Sequence, residues 1–277
     1  MKLIWAAGLL LWLLFAFAVN EADSATADLL VTIAPPQSQG GPITLIQSVA
    51  DDNESTGVQN EAIGVSAIPN GSTVFITVLS EACFNPASQP GCTGGGSLDH
   101  VTVGNQTATL AGEIGDPRNG SGTYQLVVPP SSKGGDFGTS YFWLNNVQGN
   151  PTTINLVANG GGMWFDGAIV SIFSGIPSTA TLDGIVGEGV ASCCGDGSLT
   201  SPPLTPSVSG DFLYGSAAQY GPSPSGFGAG WNGSNLDHSF FGKADEWQVY
   251  NSTYPIGATF PASGATSFAA TIAITIH

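Results

Sequence analysis

After an apolar N-terminal run, the chain alternates short β-branched or apolar stretches with clusters of Gly, Pro, Asn and Ser. Apolar residues recur at every second position, as in residues 72–79 (STVFITVL), and no apolar face of helical period and useful length follows the leader. The pattern predicts strands at 28–34, 42–50, 72–79, 106–110, 123–128, 139–147, 152–158, 163–173, 211–218, 246–250, 256–260 and 267–276. Many short strands separated by turn residues predict a sandwich or barrel, not alternating βα units. The expected fold is all-β: a jelly-roll-like antiparallel β-sandwich forming one large domain over 28–277. Residues 177–209 carry only weak strand signals and are expected to be a long crossover between sheets. The strand at 267–276 is so apolar that it must be paired and largely buried.

The N-terminus reads as an export signal, 1–27. Lys2 precedes an apolar run, and Ala25-Thr26-Ala27 supplies a small-residue cleavage site. An uncleaved anchor is the alternative. The expected setting is secreted, extracellular or cell-surface, with no membrane contact after cleavage. Composition agrees with export. Charged residues are only 9% of the chain, whereas Gly (39) and Pro (18) are abundant. Mean hydropathy is +0.19, enough apolar content to exclude a disordered chain.

Twenty acids stand against four bases, for a formal net charge of −16. Past the leader only Arg118, Lys133 and Lys243 remain, too few and too scattered to track phosphates. Nucleic acid and anionic membrane surfaces are thereby excluded as expected partners. Cys83, Cys92, Cys193 and Cys194 fit disulfides in an oxidising compartment, and three connectivities stay open. Their spacing matches neither a zinc nor a thioredoxin-like motif. Asn53, Asn70, Asn105, Asn119, Asn232 and Asn251 head N-x-[ST] sequons and mark expected surface turns.

One order of segments resembles a known group. Ser140 to Asn146 is followed by a polar turn, Thr152 to Val157, Gly167 to Gly175 and Gly210 to Ala218. Then come Gly230-Trp231, Asp245-Glu246-Trp247 and the closing Phe268 to Ala273. Over about residues 42–277 this is similar to jelly-roll-type β-sandwich modules of bacterial secreted and surface proteins. The resemblance implies a jelly-roll sandwich in an extracellular setting. It carries no catalytic residue over, and the cysteines and 177–209 depart from the pattern.

Candidate chemistry is sparse. There is no G-x-S-x-G elbow. His100 and His238 each follow an Asp, but strand neighbours point to opposite faces, so Asp99 is not expected to orient His100. Gly94 to Gly96 and Gly160 to Gly162 lack the Lys and helix of a phosphate loop. Carboxylates beside aromatics, Asp166 in Trp164-Phe165-Asp166 and Glu246 beside Trp247, are the candidate acids of a glycan hydrolase. The alternative for each is a carboxylate tied to backbone amides. Asp51, Asp52, Asn53 and Glu54 concentrate oxygen ligands in one turn and form the one calcium candidate, against a solvated turn; no other cofactor is expected. The Gly/Pro-rich loop 220–231 holds Tyr220, Phe227 and Trp231, either as a sugar-stacking surface or as a cap on the core.

The expected function is therefore a non-catalytic exported protein that binds a carbohydrate or another cell-surface component, or is structural. A carboxylate-based glycan hydrolase and a self-assembling fibre or matrix subunit are the alternatives. The sequence leaves the oligomeric state open.

Overall fold

The computed structural model describes residues 41–53, 55–82, 97–115, 125–128, 137–190, 197–221, 224–237, 241–262 and 268–277. The expected leader, the strand expected at 28–34, Glu54, Asn119, His238 and all four cysteines lie outside the described residues. The chain contributes β1 (Thr44–Asp51), β2 (Ser55–Val58), β3 (Asn60–Gly64), β4 (Thr73–Ala82), β5 (Leu98–Val103), β6 (Gln106–Thr107), β7 (Thr109–Gly115), β8 (Leu126–Val127) and β9 (Phe137–Leu144). It continues with β10 (Thr153–Ala158), β11 (Met163–Ser174), β12 (Leu182–Val190), β13 (Ser198–Thr200), β14 (Asp211–Tyr220), β15 (Asn232–Asp237), β16 (Lys243–Tyr250), β17 (Thr259–Pro261) and β18 (Phe268–Ile276). No helix occurs among the described residues.

The expectation of an all-β, antiparallel, sandwich-like domain holds, with one addition: the strands form three layers. The middle sheet runs β1-β11-β4-β9-β7-β8, with β2 also paired to β11. One face meets the sheet β3-β10-β5-β6, and the other meets β12-β18-β14-β16-β15. The alternation in β4 shows how the layers share a strand. Val74, Ile76 and Val78 point into the first core, with Val101, Val103, Ile154 and Leu156. Phe75 and Leu79 point into the second, with Phe212, Tyr214, Ile274 and Ile276. A strand buried on both sides has no polar face to show, so residues 74–79 read as a nearly unbroken apolar run. A third core lies on the outer face of the C-terminal sheet. There Leu213, Ala217, Ala244 and Ala273 are covered by the β13–β17 ribbon through Leu199 and Phe260.

Rings dominate the second core. Phe75 stacks on Tyr214 at 4.3 Å between centroids, and Phe173 meets Phe212 edge-on at 5.0 Å. Trp247 closes the cluster against Phe173 at 5.5 Å.

A bulge redirects side chains in β11. In β11 the register against β4 slips between Phe165 and Gly167, so Asp166 is an extra residue. The slip changes parity: Met163 and Phe165 before it and Ala168, Val170 and Ile172 after it all reach the same core. Residues 177–209, expected to be a long crossover, contain β12 of the C-terminal sheet and β13 of the small ribbon. β12 is rich in Gly and forms an edge of its sheet, so it lacks the alternation that marks a strand.

Candidate functional site

Strand β16 carries the chemistry. Its residues alternate faces, as period two requires. Lys243, Asp245 and Trp247 turn toward the middle sheet, whereas Ala244 and Glu246 turn outward under the β17 and 224–231 segments.

On the inner face, Lys243 is fully buried and its ammonium donates three bonds. It reaches Asp237 Oδ2 at 2.6 Å, the Phe241 carbonyl at 2.8 Å and Asp52 Oδ1 at 3.1 Å. Asp237 is the cross-strand partner of Lys243 in the β15–β16 pair. The ammonium also fills the space beside Gly167, whose φ of +144° no other residue adopts easily. One period-two repeat along β16 from Lys243, Asp245 is buried between the sheets and accepts from Ser171 Oγ at 2.9 Å. Ser171 meets Ser48 Oγ at 3.3 Å, and Thr77 Oγ1 meets Ser216 Oγ at 2.7 Å, so hydroxyls from both sheets line the carboxylate's surroundings. Burial pushes Asp245 up to about 6, and the hydroxyls around it, with Ser171 bonded to it, oppose the shift by favouring the anion. Burial, with the charge of Asp245 adding to it, likewise raises Tyr214 and Tyr141.

On the outer face, Glu246 is the sequence-derived candidate acid. Its side chain accepts from the Gly228 amide at 2.6 Å and from the Thr259 amide at 2.9 Å. Burial raises it to about 7, the two amides oppose the shift, and the neighbouring Asp245 charge adds to it. Glu246 thus ties the aromatic loop to β17. Phe227 and Trp231 are half-buried and rest against the third core. The Phe227 ring takes the space that a side chain at Gly233 would occupy, and Trp231 packs against Gly228. Tyr220 ends β14, and its side chain lies outside the described residues.

The other candidates separate. Asp166 is buried at the β11 bulge and belongs to the middle sheet, whereas Glu246 faces away from that sheet. The calcium candidate is partly committed elsewhere: Asp52 pairs with Lys243, and Asp51 Oδ1 accepts from the Asn53 amide. Burial raises Asp52, with a hydrogen bond to Asp237 raising it further and Lys243 opposing. Asn53, Asn70, Asn105, Asn232 and Asn251 are all exposed, as sequon residues must be to accept a glycan.

One expectation fails outright. Asp99 Oδ2 does reach His100 Nδ1, at 2.7 Å. The cause is a slip between the β5 residues paired to Val157 and Ala158, which makes Asp99 an extra residue and breaks the two-sided alternation. Both side chains are exposed, so the pair is a surface contact.

Sequence reasoning missed two groups: the Lys243 cluster and a set of Asp183, Asp211 and His277 on adjacent strands. The signal for the first was present in the sequence. A lone lysine in an apolar-flanked strand (Phe241-Gly-Lys-Ala) demands a carboxylate partner if buried. The second joins residues far apart in sequence and left no local pattern.

No protein-family model matches the chain, and no curated protein matches it. Among solved structures, the mavirus major capsid protein aligns at 9% identity over 84% of this chain and 86% of its own, with a TM-score of 0.22. The PBSX exported protein XepA aligns at 10% identity over 86% of this chain and 87% of its own, with a TM-score of 0.19. Superpositions this loose assign neither family nor function, and the layered antiparallel β architecture is what the chain itself establishes.

Proposed function

We propose that the protein is an exported, non-catalytic β-sandwich module of jelly-roll type that binds carbohydrate or another surface component outside the cell, through the 224–231 loop. The observation that carries this reading is the support under Phe227 and Trp231. Each ring is half-buried, seated against a glycine, and held on a loop that the buried Glu246 pins through Gly228. A flat ring fixed before binding loses little freedom when a sugar stacks on it. The two candidate acids favour binding over hydrolysis. Glu246 spends its oxygens on backbone amides, and Asp166 is interior on a different sheet, whereas a glycosidase pair must face one cleft.

The test is depletion of the mature protein by a panel of insoluble and soluble polysaccharides, with released reducing ends assayed in the same tubes. Wild type should be depleted selectively without release. Trp231→Ala should lose retention by about tenfold, equivalent to the loss of one well-placed stacking contact, with its melting transition still cooperative. Release of reducing ends that disappears in Glu246→Gln would replace this reading with the hydrolase. Concentration-dependent assembly without depletion would replace it with the fibre or matrix role.

A further inference from the structure

We propose that Asp183, Asp211 and His277 form a binding site for a divalent transition-metal ion of the zinc or manganese class at one end of the C-terminal sheet. The three residues come from neighbouring positions in the strand order β12-β18-β14. Asp183 lies in β12, Asp211 opens β14, and His277 directly follows β18. One ligand atom from each lies within 4.8 Å of the others.

Local structure aims each donor. The register of β12 against β18 slips between Leu182 and Gly184, so Asp183 is the residue left over at a bulge, where a side chain is redirected. The main chain of His277 is held by Thr181 on both sides: the Thr181 amide donates to the His277 carbonyl at 3.0 Å, and the His277 amide donates back at 3.4 Å. Asp211 Oδ2 accepts from Thr275 Oγ1 at 3.2 Å and from the Val208 amide at 3.5 Å, and Asp183 Oδ2 accepts from the Ser207 amide at 3.1 Å. These are the outer hydrogen bonds that orient carboxylate ligands around a metal.

An independent observation points to a ligand. Asp211 is 1% exposed, and its Oδ1 is buried yet meets no hydrogen-bond donor among the described residues. A buried carboxylate oxygen without a partner is costly, and a cation supplies the missing partner. The spacing agrees. Asp183 Oδ1 and His277 Nδ1 are 3.4 Å apart, and the edge of a tetrahedron with metal–ligand bonds of about 2.1 Å is also about 3.4 Å. The imidazole sets the metal class. Calcium and magnesium take oxygen ligands, whereas a nitrogen with two carboxylates suits zinc, manganese or their first-row neighbours. Asp183 and His277 are partly open to solvent, so remaining positions on the ion can be filled by water. A bound ion would also link the edge strand β12 to β14 across β18.

The experiment uses the mature chain without a histidine tag, stripped with chelator and titrated calorimetrically with zinc, manganese, calcium and magnesium. One equivalent of zinc or manganese should bind saturably and raise the melting temperature. His277→Ala and Asp183→Asn alter partly exposed side chains and leave the core intact. Each should weaken binding by more than the about 10–100-fold typical of losing an outer-shell partner, and Asp211→Asn should do the same if it folds. No saturable binding, binding unchanged in His277→Ala and Asp183→Asn, or preferential binding of calcium would each overturn the proposal.

Discussion

Lys243→Met is the most informative single change in this molecule. The substitution keeps much of the side-chain volume and removes the charge. Lys243 is fully buried and holds Asp237 at 2.6 Å, and Asp237 is itself nearly buried. Without the ammonium, the nearly buried Asp237 carboxylate loses the cation at 2.6 Å that balances its charge. Breaking a buried pair by removing one partner costs about 3–5 kcal/mol. Asp52 adds little, because nearly half of its side chain is exposed and water screens it. For a domain of this size, each kcal/mol lowers the melting temperature by about 2–4 °C, so the expected drop is about 6–20 °C. Urea titration followed by the fluorescence of Trp143, Trp164, Trp231 and Trp247 measures the free energy directly. The control is Lys243→Met with Asp237→Leu, which removes both charges and should recover most of the loss. A single-variant cost under about 1 kcal/mol, or a double variant no more stable than the single, would refute the claim that the charge and not the packing is what matters here.

Two other outcomes follow from the same cores. Asp245 and Glu246 have folded values near 6 and 7, above the ordinary carboxylate range, so the folded state binds more protons than the unfolded state between about pH 4 and 7. Stability should therefore fall as pH rises through that window and level off above it. In Asp245→Asn the slope should flatten; an unchanged slope in urea titrations from pH 4 to 8 would contradict the assignment. Gly167→Ala combines a positive φ with a side chain driven into the Lys243 ammonium and the Asp51 carbonyl. A loss of about 1–3 kcal/mol is expected by thermal melting, and a neutral result would mean that the bulge relaxes freely.

Strong alternation made most of the architecture legible. β4, β9, β10, β11, β14 and β18 all fall within a few residues of the stretches that the pattern marks. They are interior strands, where every second residue must fill a core. Edge strands were harder to see. β15 (NGSNLD) and β12 (LDGIVGEGV) show little alternation because Gly, Asn and Ser fill positions that apolar side chains take in the interior strands. The third layer was invisible for a related reason: a strand buried on both faces and one buried on a single face can both be apolar, and only pairing distinguishes them. For the candidate site, the opposite orientations of Asp245 and Glu246 were legible from adjacency alone. The tethering of Glu246 to Gly228 and Thr259 was not, because backbone amides leave no trace in composition. The Asp99–His100 contact shows the same limit, since a bulge is one extra residue and no residue type announces it.

The shared middle sheet also bears on the order in which the chain folds as it is made. Every strand of the first sandwich, from β1 to β11, is complete by Ser174, and the sheet that covers its second face begins only at Leu182. A chain synthesised N-terminus first therefore finishes one sandwich while the partner of its other face is still being made. During that interval Phe75, Leu79, Tyr141 and Phe173 are bare to solvent, an apolar surface of the kind that draws nascent chains into aggregates. Thr77 and Ser171 lie in the middle of that surface, and their hydroxyls, later bonded to Ser216 and Asp245, keep it wettable until the remaining strands dock.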